Sequence, residues 1–257
     1  MIRIGTSGWQ YRDWRGVLYD NRLPQDRWLE WYAEVFDVVE VNNSFYRLPE
    51  RATFEKWRAR TPNRFTFVVK ASRYLTHLKR LRDAEDGVKL FWERATGLDS
   101  KLGPVLFQLP PRFPADVAGL RDFVSWLPRE MRAAFEFRDT SWLQDEVLGV
   151  LDDGGYALVL ADRPGFRGPL VVTGGWSYIR FHQGTRVGPD YRRSKLRRWA
   201  ERISTLPARE VWAFFNNDHG GAAVRDALFL RDLLGRSEQR VAWGELRAGA
   251  KVSSPIE

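Results

Sequence analysis

The sequence has no cysteine, two methionines and three histidines among its 257 residues. Without cysteine, the chain can form no disulfide, thiolate metal site, iron–sulfur cluster or cysteine nucleophile. The opening stretch MIRIGTSGW lacks the basic start and apolar run of a signal peptide, and no apolar stretch is long enough to cross a bilayer. We therefore expect a soluble, cytoplasmic protein that does not enter a membrane.

Motifs for nucleotide cofactors and for a serine nucleophile are also absent. The chain contains neither a G-x-G-x-x-G pattern nor a Walker A loop, so nothing in it predicts a bound nucleotide. The stretch GTSGW differs from the nucleophile pattern G-x-S-x-G because Trp9 occupies the last place. We predict no cofactor from these motifs.

What the chain does have is aromatic bulk and positive charge. Hydrophobic residues make up 44% and aromatic residues 14%, which is enough for a large core. The formal net charge is +8 and the sequence pI is about 9.9. This excess of basic residues favours an anionic small molecule or nucleic acid as partner, although the same charge also serves simple colloidal repulsion. Nothing in the sequence indicates an oligomeric state.

Short apolar runs alternate with amphipathic stretches along the chain. The predicted strands are Ile2–Gly5, Val38–Val41, Phe65–Lys70, Val105–Leu109, Ala133–Phe137, Tyr156–Ala161, Ser177–Phe181 and Val211–Phe215. The predicted helices are Asp26–Phe36, Ala52–Arg60, Ala84–Leu102, Val117–Trp126, Asp145–Leu151, Asp190–Leu206 (with Asp190 as N-cap) and Ala222–Leu234. This alternation predicts a parallel sheet covered by helices.

The number of strands favours a closed barrel. Eight strands in a chain of this length indicate an α/β protein with a (β/α)₈ TIM barrel, formed as a single domain by residues 1–257, rather than an open doubly wound sheet. The stretch Arg163–Gly175 is rich in glycine and proline and shows no helical pattern. We therefore expect one helix to be missing between strands six and seven.

Polar side chains stand at the carboxyl ends of nearly all predicted strands. They are Thr6 or Ser7, Glu40, Asn42, Lys70, Ser72, Gln108, Glu136, Arg138, Asp162, Arg180, His182 and Asn216. In a barrel these ends form the active-site face, and residues two apart point the same way, so we expect the side chains to converge on one polar pocket. The alternative is an inner salt-bridge network, in which the two glutamates pair with Lys70, Arg138 and Arg180 and satisfy only one another.

Seven segments resemble the YecE-like family, known as domain of unknown function seventy-two. They are GTSGWQYRDW (Gly5–Trp14), VEVNNSFYRLP (Val39–Pro49), FVVKASRYLTHLKRL (Phe67–Leu81), LFQLPP (Leu106–Pro111), FEFRDTSW (Phe135–Trp142), YIRFHQ (Tyr178–Gln183) and FFNND with AAVRDA (Phe214–Ala227). The resemblance covers nearly the whole chain and implies a TIM barrel, but no activity, because the family has no established reaction. Asp139 stands where the family often has histidine, and Gln183 where glycine usually follows the histidine. At fold level only, the chain resembles the endonuclease IV and xylose isomerase barrels.

The predicted pocket suits acid–base catalysis on an anionic substrate. Two carboxylates beside cations can differ in pKa, so Glu40 and Glu136 form the natural acid and base. Lys70 and the two arginines would hold a phosphate or carboxylate and stabilise developing negative charge. His182 would shuttle a proton near neutral pH, or it is a hydrogen-bonded structural imidazole.

Two further chemistries, metal binding and a Schiff base, would use the same strand ends. A multinuclear zinc site needs several histidine ligands, but only His182 sits at a predicted strand end. We therefore assign no metal ligand. A single Mg²⁺ or Mn²⁺ on Glu40, Glu136 and Asp162 stays open, opposed by the neighbouring cations. A Schiff base on Lys70 needs a neutral amine, whereas carboxylate neighbours are expected to keep this lysine charged.

Basic and aromatic residues follow the strand ends. The run HLKRLR (His77–Arg82) comes after strand three, and YRRSKLRRW (Tyr191–Trp199) opens the helix after strand seven, where its charges spread around the helix as on a solvated face. The rings of Trp9, Tyr46, His77 and Trp142 are candidates to contact a ligand, and packing under loops is the alternative.

Two functions remain open from the sequence. The leading hypothesis is an enzyme that applies acid–base chemistry to an anionic, polyhydroxylated substrate, either a sugar phosphate or a nucleic-acid phosphodiester. The sequence does not distinguish a hydrolase, a lyase and an isomerase. The second hypothesis is a non-catalytic, nucleic-acid-binding barrel that uses rim arginines and tryptophans.

Overall fold

A computed structural model describes residues 1–164, 168–182 and 188–235. Within these ranges, eight parallel strands close into a barrel in chain order. They are β1 (Ile2–Ser7), β2 (Val38–Val41), β3 (Thr66–Lys70), β4 (Leu102–Gln108), β5 (Ala133–Glu136), β6 (Ala157–Asp162), β7 (Ser177–Phe181) and β8 (Val211–Phe215). Strand β1 pairs with both β2 and β8, which closes the sheet. The predicted (β/α)₈ TIM barrel is confirmed, and the open doubly wound sheet is excluded.

Helices lie around the outside of the barrel. They are α1 (Trp28–Val35), α2 (Asn43–Tyr46), α3 (Arg51–Ala59), α4 (Glu85–Ala95), α5 (Val117–Ser125), α6 (Asp145–Asp153), α7 (Arg193–Thr205) and α8 (Ala222–Leu233). Shorter helical turns span Arg12–Trp14, Gln25–Arg27, Tyr74–Leu78, Thr96–Lys101, Thr140–Trp142 and His219–Gly221. Helix α1 buries Trp28, Leu29, Tyr32, Ala33 and Val35 in one apolar stripe, as the sequence spacing predicts. No described helix is long and apolar enough to cross a membrane.

Two predicted helices, those that correspond to α4 and α7, differ from the observed ones by more than two residues at one end. The helix predicted over Ala84–Leu102 ends earlier, because the chain leaves helical geometry at Asp99, whose φ is 50°, before β4 begins. Helix α7 begins at Arg193 rather than at the predicted N-cap Asp190. The Asp190 carboxylate instead pairs with Arg225, with 2.7 Å between Oδ1 and Nη2.

The connection from β6 to β7 carries no helix in its described parts, residues 163–164 and 168–176. Its Thr173 hydroxyl accepts a hydrogen bond from the Leu158 amide and donates one to the Tyr156 carbonyl, which anchors the connection beside β6. A cavity of about 450 Å³ lies next to β6, lined by α7 residues and by Leu158, Leu160 and Leu170 among others. It is outside the barrel, on the side where a full repeat would place a helix.

The barrel interior has an apolar lower part and a polar upper part. Inward side chains recur every second residue, so Val38 and then Glu40 face inward on β2. The lower part is a cluster of Val38, Val68, Leu106, Ala134, Ala157, Val159, Trp176, Tyr178, Trp212 and Phe214. The next inward positions, towards the carboxyl ends of the strands, are occupied by polar residues. These ends and the loops that follow them are called the mouth below.

Candidate active site

Arg180 of β7 links two carboxylates from opposite parts of the barrel. Its Nη2 and Nε donate to the two oxygens of Glu40 at 2.7 and 3.0 Å, and its Nη1 donates to Glu136 Oε2 at 2.6 Å. All three side chains are buried, with 0 or 1% of each exposed. A guanidinium can satisfy both carboxylates because its donors are fixed in a planar fork.

Glu40 is fully engaged by protein groups. Besides Arg180, the Ser7 hydroxyl donates to Oε1 at 2.7 Å, and the Tyr178 hydroxyl donates to Oε2 at 2.6 Å. Burial opposes ionisation, but the charge of Arg180 and these hydrogen bonds outweigh it, so the pKa of Glu40 lies below its usual range. Glu40 is therefore a buried, ionised group whose oxygens already carry four hydrogen bonds.

Glu136 connects Arg180 to groups nearer the surface. Its Oε2 accepts a hydrogen bond from Gln108 Nε2 at 2.9 Å, and its Oε1 lies 3.1 Å from His182 Nε2. Burial opposes ionisation here too, yet Arg180 and His182 hold the pKa of Glu136 well below its usual range. Both glutamates therefore have lowered pKa values, because both share one guanidinium.

His182 brings this network to the mouth. Because the Glu136 carboxylate only accepts hydrogen bonds, the imidazole proton lies on Nε2, and Nδ1 accepts from Asn216 Nδ2 at 3.3 Å. The His182 side chain is 17% exposed, whereas Glu136 is fully buried. The imidazole is therefore oriented from below by a carboxylate and reaches solvent on its other side.

Lys70 of β3 has an amide rather than a carboxylate as its partner. Its Nζ donates to Gln108 Oε1 at 2.8 Å and lies 4.2 Å from the centre of the Phe45 ring. Burial and then the charge of Arg180 lower the pKa of Lys70 to about 8, although Glu40 and Glu136 oppose this shift. The neighbouring carboxylates thus favour the charged form of Lys70, in the direction that the sequence predicts, but burial and Arg180 outweigh them.

The rim of the mouth carries polar groups with partial exposure. Arg138 is half-buried and has no carboxylate within 4 Å in the described part of the chain. The Asn42 Oδ1 atom is buried and accepts no hydrogen bond from the described residues. Ser72 accepts a hydrogen bond from the Tyr74 amide, and Tyr46 is 75% exposed.

His77 belongs to the same rim. Its ring meets Phe45 edge-on, with 5.0 Å between the ring centres, and its Nδ1 lies 2.9 Å from the Thr76 hydroxyl. Burial first, and then the charges of Lys70 and Arg138, lower the pKa of His77. A neutral imidazole beside two cations adds a polar group to the mouth without adding charge.

Asp162 was predicted at the mouth and lies elsewhere. The inward positions of β6 are Ala157 and Val159, so the period of two turns Asp162 outward. Its carboxylate accepts hydrogen bonds from Lys195 Nζ at 2.7 Å and Trp199 Nε1 at 2.6 Å, both on α7. Its role in the structure is to fix α7 to the barrel.

Two predicted ligand-stacking rings are packed under loops. Trp9 is 4% exposed and meets Trp57 edge-on. Trp142 is fully buried and stacks on Phe137, and its Nε1 donates to the Phe113 carbonyl at 2.6 Å. Neither ring presents a face to a ligand in this structure.

The chain departs from the family pattern at two positions, Asp139 and Gln183. Asp139 caps the turn Thr140–Trp142, where its Oδ1 accepts hydrogen bonds from the Ser141 amide and hydroxyl at 3.0 and 2.8 Å. Gln183 lies outside the described residues.

The structure does not assemble the set of oxygens considered for a divalent cation. Glu40 and Glu136 are bound by Arg180, and Asp162 faces α7 on the other side of the sheet. Among the described residues, no group of three or more His, Asp and Glu side chains could hold a metal ion.

The basic runs make contacts within the protein. Arg193 lies 4.0 Å from the centre of the Phe229 ring, and Lys195 pairs with Asp162. In the other run, Arg82 pairs with Asp116 at 2.8 Å. These contacts give the nucleic-acid hypothesis no added support, since they divert basic groups to intramolecular partners.

Several residues that contact the ionic network or line the mouth were not predicted from the sequence. Tyr178 could have been found, because it precedes Arg180 by two residues and must share its face. Arg163 follows Ala161 by two residues in the same way, and its Nη2 donates to the Arg138 carbonyl at 3.2 Å. Phe45 had no such signal, because it lies on the short helix α2 after the strand.

The fold and the mouth together define a (β/α)₈ barrel with a buried ionic network next to a buried lysine and a partly exposed histidine. Residues 3–251 match the family described as "Protein of unknown function DUF72", and the chain belongs to that family. The resemblance to the YecE-like family is therefore confirmed.

Relatives of known sequence and structure agree with this assignment. UPF0759 protein YunF of Bacillus subtilis is 27% identical over 271 residues, covering 91% of this chain and 95% of YunF. UPF0759 protein YecE of Escherichia coli K12 is 29% identical over 171 residues, covering 64% of this chain and 60% of YecE. A DUF72 family protein from Thermotoga maritima has a crystal structure that matches with a TM-score of 0.83 at 28% identity, covering 91% of this chain and 99% of that one.

Proposed function

We propose that this protein is an enzyme that applies acid–base chemistry to an anionic, polyhydroxylated small molecule at the mouth of the barrel. The observation that carries the proposal is the chain of contacts Arg180–Glu136–His182. A buried, ionised carboxylate holds a partly exposed imidazole in one tautomer. This is the arrangement that a general base needs, since the carboxylate orients the ring and stabilises the imidazolium once it forms.

The roles of the two glutamates differ from those of an acid and a base acting as a pair. Glu136 positions His182, and Glu40 positions Arg180 from a fully buried location. His182 Nδ1 is the atom that would accept and return a proton, with Asn216 as its resting partner. Glu40 and Arg180 are therefore positioning residues, and His182 is the proposed catalytic residue.

Anion binding is assigned to the cations at the mouth. Arg138 has no carboxylate partner among the described residues, and the Lys70 ammonium group donates a hydrogen bond only to a neutral amide there. Such cations attract a phosphate or carboxylate more strongly than cations already neutralised by a partner. Asn42 and Ser72 add groups on the rim that suit substrate hydroxyls.

A self-satisfied salt-bridge network accounts for only part of this arrangement. It describes Glu40 and Arg180, which are buried and mutually paired. It does not account for an imidazole that is fixed from below and 17% exposed, or for an arginine at the rim without a carboxylate partner in the described chain. Cationic groups beside an oriented general base favour a catalytic mouth.

The experiment compares wild type and His182→Gln, purified in the same way, on a panel of ketose and aldose phosphates in D₂O. Proton NMR follows exchange of the hydrogen next to the carbonyl, which reports proton abstraction by a base directly. We expect exchange with the wild type and a loss of about 10²-fold or more in the variant. Equal exchange in both proteins, or no exchange with any sugar phosphate, would contradict the proposal.

A further inference from the structure

We propose that Lys70 is a nucleophilic amine that forms an imine with the carbonyl group of a substrate bound at the mouth. This inference rests on the proposed function and names the reaction that the same mouth would perform. It is carried by the single amide contact of the Lys70 ammonium group and by its place at the end of β3.

Gln108 bridges Lys70 and the Glu136 carboxylate. The Gln108 amide has one orientation, because its Nε2 must donate to Glu136 Oε2, and its oxygen therefore faces Lys70. An amide oxygen accepts a hydrogen bond from an ammonium group and from a neutral amine alike. A carboxylate in the same position would favour the ammonium form and suppress nucleophilic attack.

The surroundings of Lys70 disfavour its charge on balance. The side chain is buried, and the guanidinium of Arg180 repels the ammonium group, so the pKa of Lys70 falls to about 8. The Phe45 ring stabilises the cation in the opposite sense, by about 0.5–2 kcal/mol for contacts of this kind. At this pKa, roughly a tenth of the amine is neutral at pH 7.

The backbone of Lys70 is fixed, so the amine is held in place. The Ser44 hydroxyl donates to the Lys70 carbonyl at 2.7 Å, and Lys70 pairs in register with Leu106 of β4. The residue is 8% exposed, so little of it contacts solvent. A fixed amine with limited solvent contact favours imine formation over hydrolysis.

Lys101 shows what a structural lysine looks like in the same chain. It is 5% exposed, and its Nζ donates to the Arg58 carbonyl, the Thr61 carbonyl and the Thr61 hydroxyl at 2.6, 2.5 and 3.3 Å. Three acceptors use all three ammonium hydrogens. Lys70 has one such acceptor within the described residues, so its amine retains the capacity to react.

The reaction balances without a redox partner. The lone pair of the neutral Nζ forms a bond to the carbonyl carbon, and the carbonyl oxygen takes up a proton to give a carbinolamine. A second proton transfer lets that oxygen leave as water, so that amine and carbonyl yield imine and water. The protonated imine acidifies the adjacent C–H, whose proton His182 Nδ1 would accept.

Borohydride trapping tests the inference. Wild type, Lys70→Arg and Lys89→Arg are incubated with dihydroxyacetone phosphate or glycolaldehyde, with and without sodium borohydride, and the products are mapped by peptide mass spectrometry. Lys89 is an exposed lysine of α4 and provides the matched control. Each adduct adds the mass of the carbonyl compound minus one oxygen atom.

We expect borohydride-dependent modification at Lys70 at least about tenfold above that at Lys89, lost in Lys70→Arg and kept in Lys89→Arg. Glycolaldehyde is the smaller of the two compounds and needs little space at the mouth. If neither compound modifies Lys70, the inference is overturned. Hydrogen exchange that depends on His182 without a Lys70 adduct would overturn the inference and leave the proposed function standing. A Lys70 adduct without such exchange would support the inference and remove the role of His182.

Discussion

Arg180 and Glu40 form a two-point ion pair in the interior of the barrel, with Nη2–Oε1 and Nε–Oε2 distances of 2.7 and 3.0 Å. Both side chains are almost completely withdrawn from water. Such a pair adds little net stability over an apolar core, but breaking it removes charge-assisted hydrogen bonds from buried groups. The pair thus fixes where Arg180 can point, and with it the position of Glu136.

Glu40→Gln is expected to lower the free energy of unfolding by about 1.5–3 kcal/mol, because Arg180 keeps Glu136 as its counter-ion but loses its charge-assisted hydrogen bonds to Glu40. Urea unfolding followed by circular dichroism measures the change. Glu55→Gln is the control, since its ion pair with Arg51 is 45% exposed on both sides and should contribute less than about 1 kcal/mol. Equal changes in the free energy of unfolding for the two substitutions would show that the buried ion pair contributes no more to stability than the exposed one.

The stability contribution of Lys70 should depend on pH between about 8 and 10.5. In this window the folded protein has lost the Lys70 proton while the unfolded chain, with its usual pKa of 10.5, still binds it. Unfolding then takes up a proton, so stability rises with pH and the penalty of burying the charge disappears. Relative to Lys70→Met, wild type should gain on the order of 2–3 kcal/mol across the window.

Urea unfolding at several pH values from 7.5 to about 10.5 measures the difference in unfolding free energy between wild type and Lys70→Met. Lys89→Met, on the exposed face of α4, is the control. The difference in unfolding free energy between wild type and Lys89→Met should show no comparable change over this pH window. A gap between wild type and Lys70→Met that stays constant with pH would mean that Lys70 keeps its ordinary proton affinity.

Substitutions at Arg138 and Asp162 should separate the mouth from the outer face of the barrel. Arg138→Gln is expected to weaken the binding of dihydroxyacetone phosphate about tenfold or more, because a charge-assisted contact to phosphate is lost. Asp162→Ala should leave that affinity unchanged and lower stability by about 1–3 kcal/mol, because Trp199 loses its acceptor. Isothermal titration calorimetry and urea unfolding measure the two effects, and the reverse pattern would place the anion near α7.

Much of the fold follows from the sequence, because each strand is a short apolar run between helical stripes. β2, β7 and β8 have the predicted bounds, and the connection after β6, which has no helix in its described parts, is visible as a run of glycine and proline. The face of each strand end is harder to predict. Asp162 was placed one residue out of phase, and a shift of one residue turns a side chain to the other side of the sheet.

The partners within the mouth could not be predicted from residue types alone. The sequence places Lys70 among glutamates, and only the three-dimensional structure shows that Gln108 stands between Lys70 and Glu136. The pairing of Arg180 with both Glu40 and Glu136 could not be predicted either, because it joins β2, β5 and β7 across the barrel. Such contacts depend on side-chain direction and length, which a pattern of strand ends does not encode.

A crystal structure with bound dihydroxyacetone phosphate would show directly whether the mouth of the barrel is the substrate site. We expect the phosphate to lie against Arg138 and the carbonyl carbon to lie at the amine of Lys70, with His182 facing the adjacent carbon. A ligand bound only in the cavity beside α7, or a mouth that excludes it while Lys70 and His182 stay sealed by protein, would contradict the account.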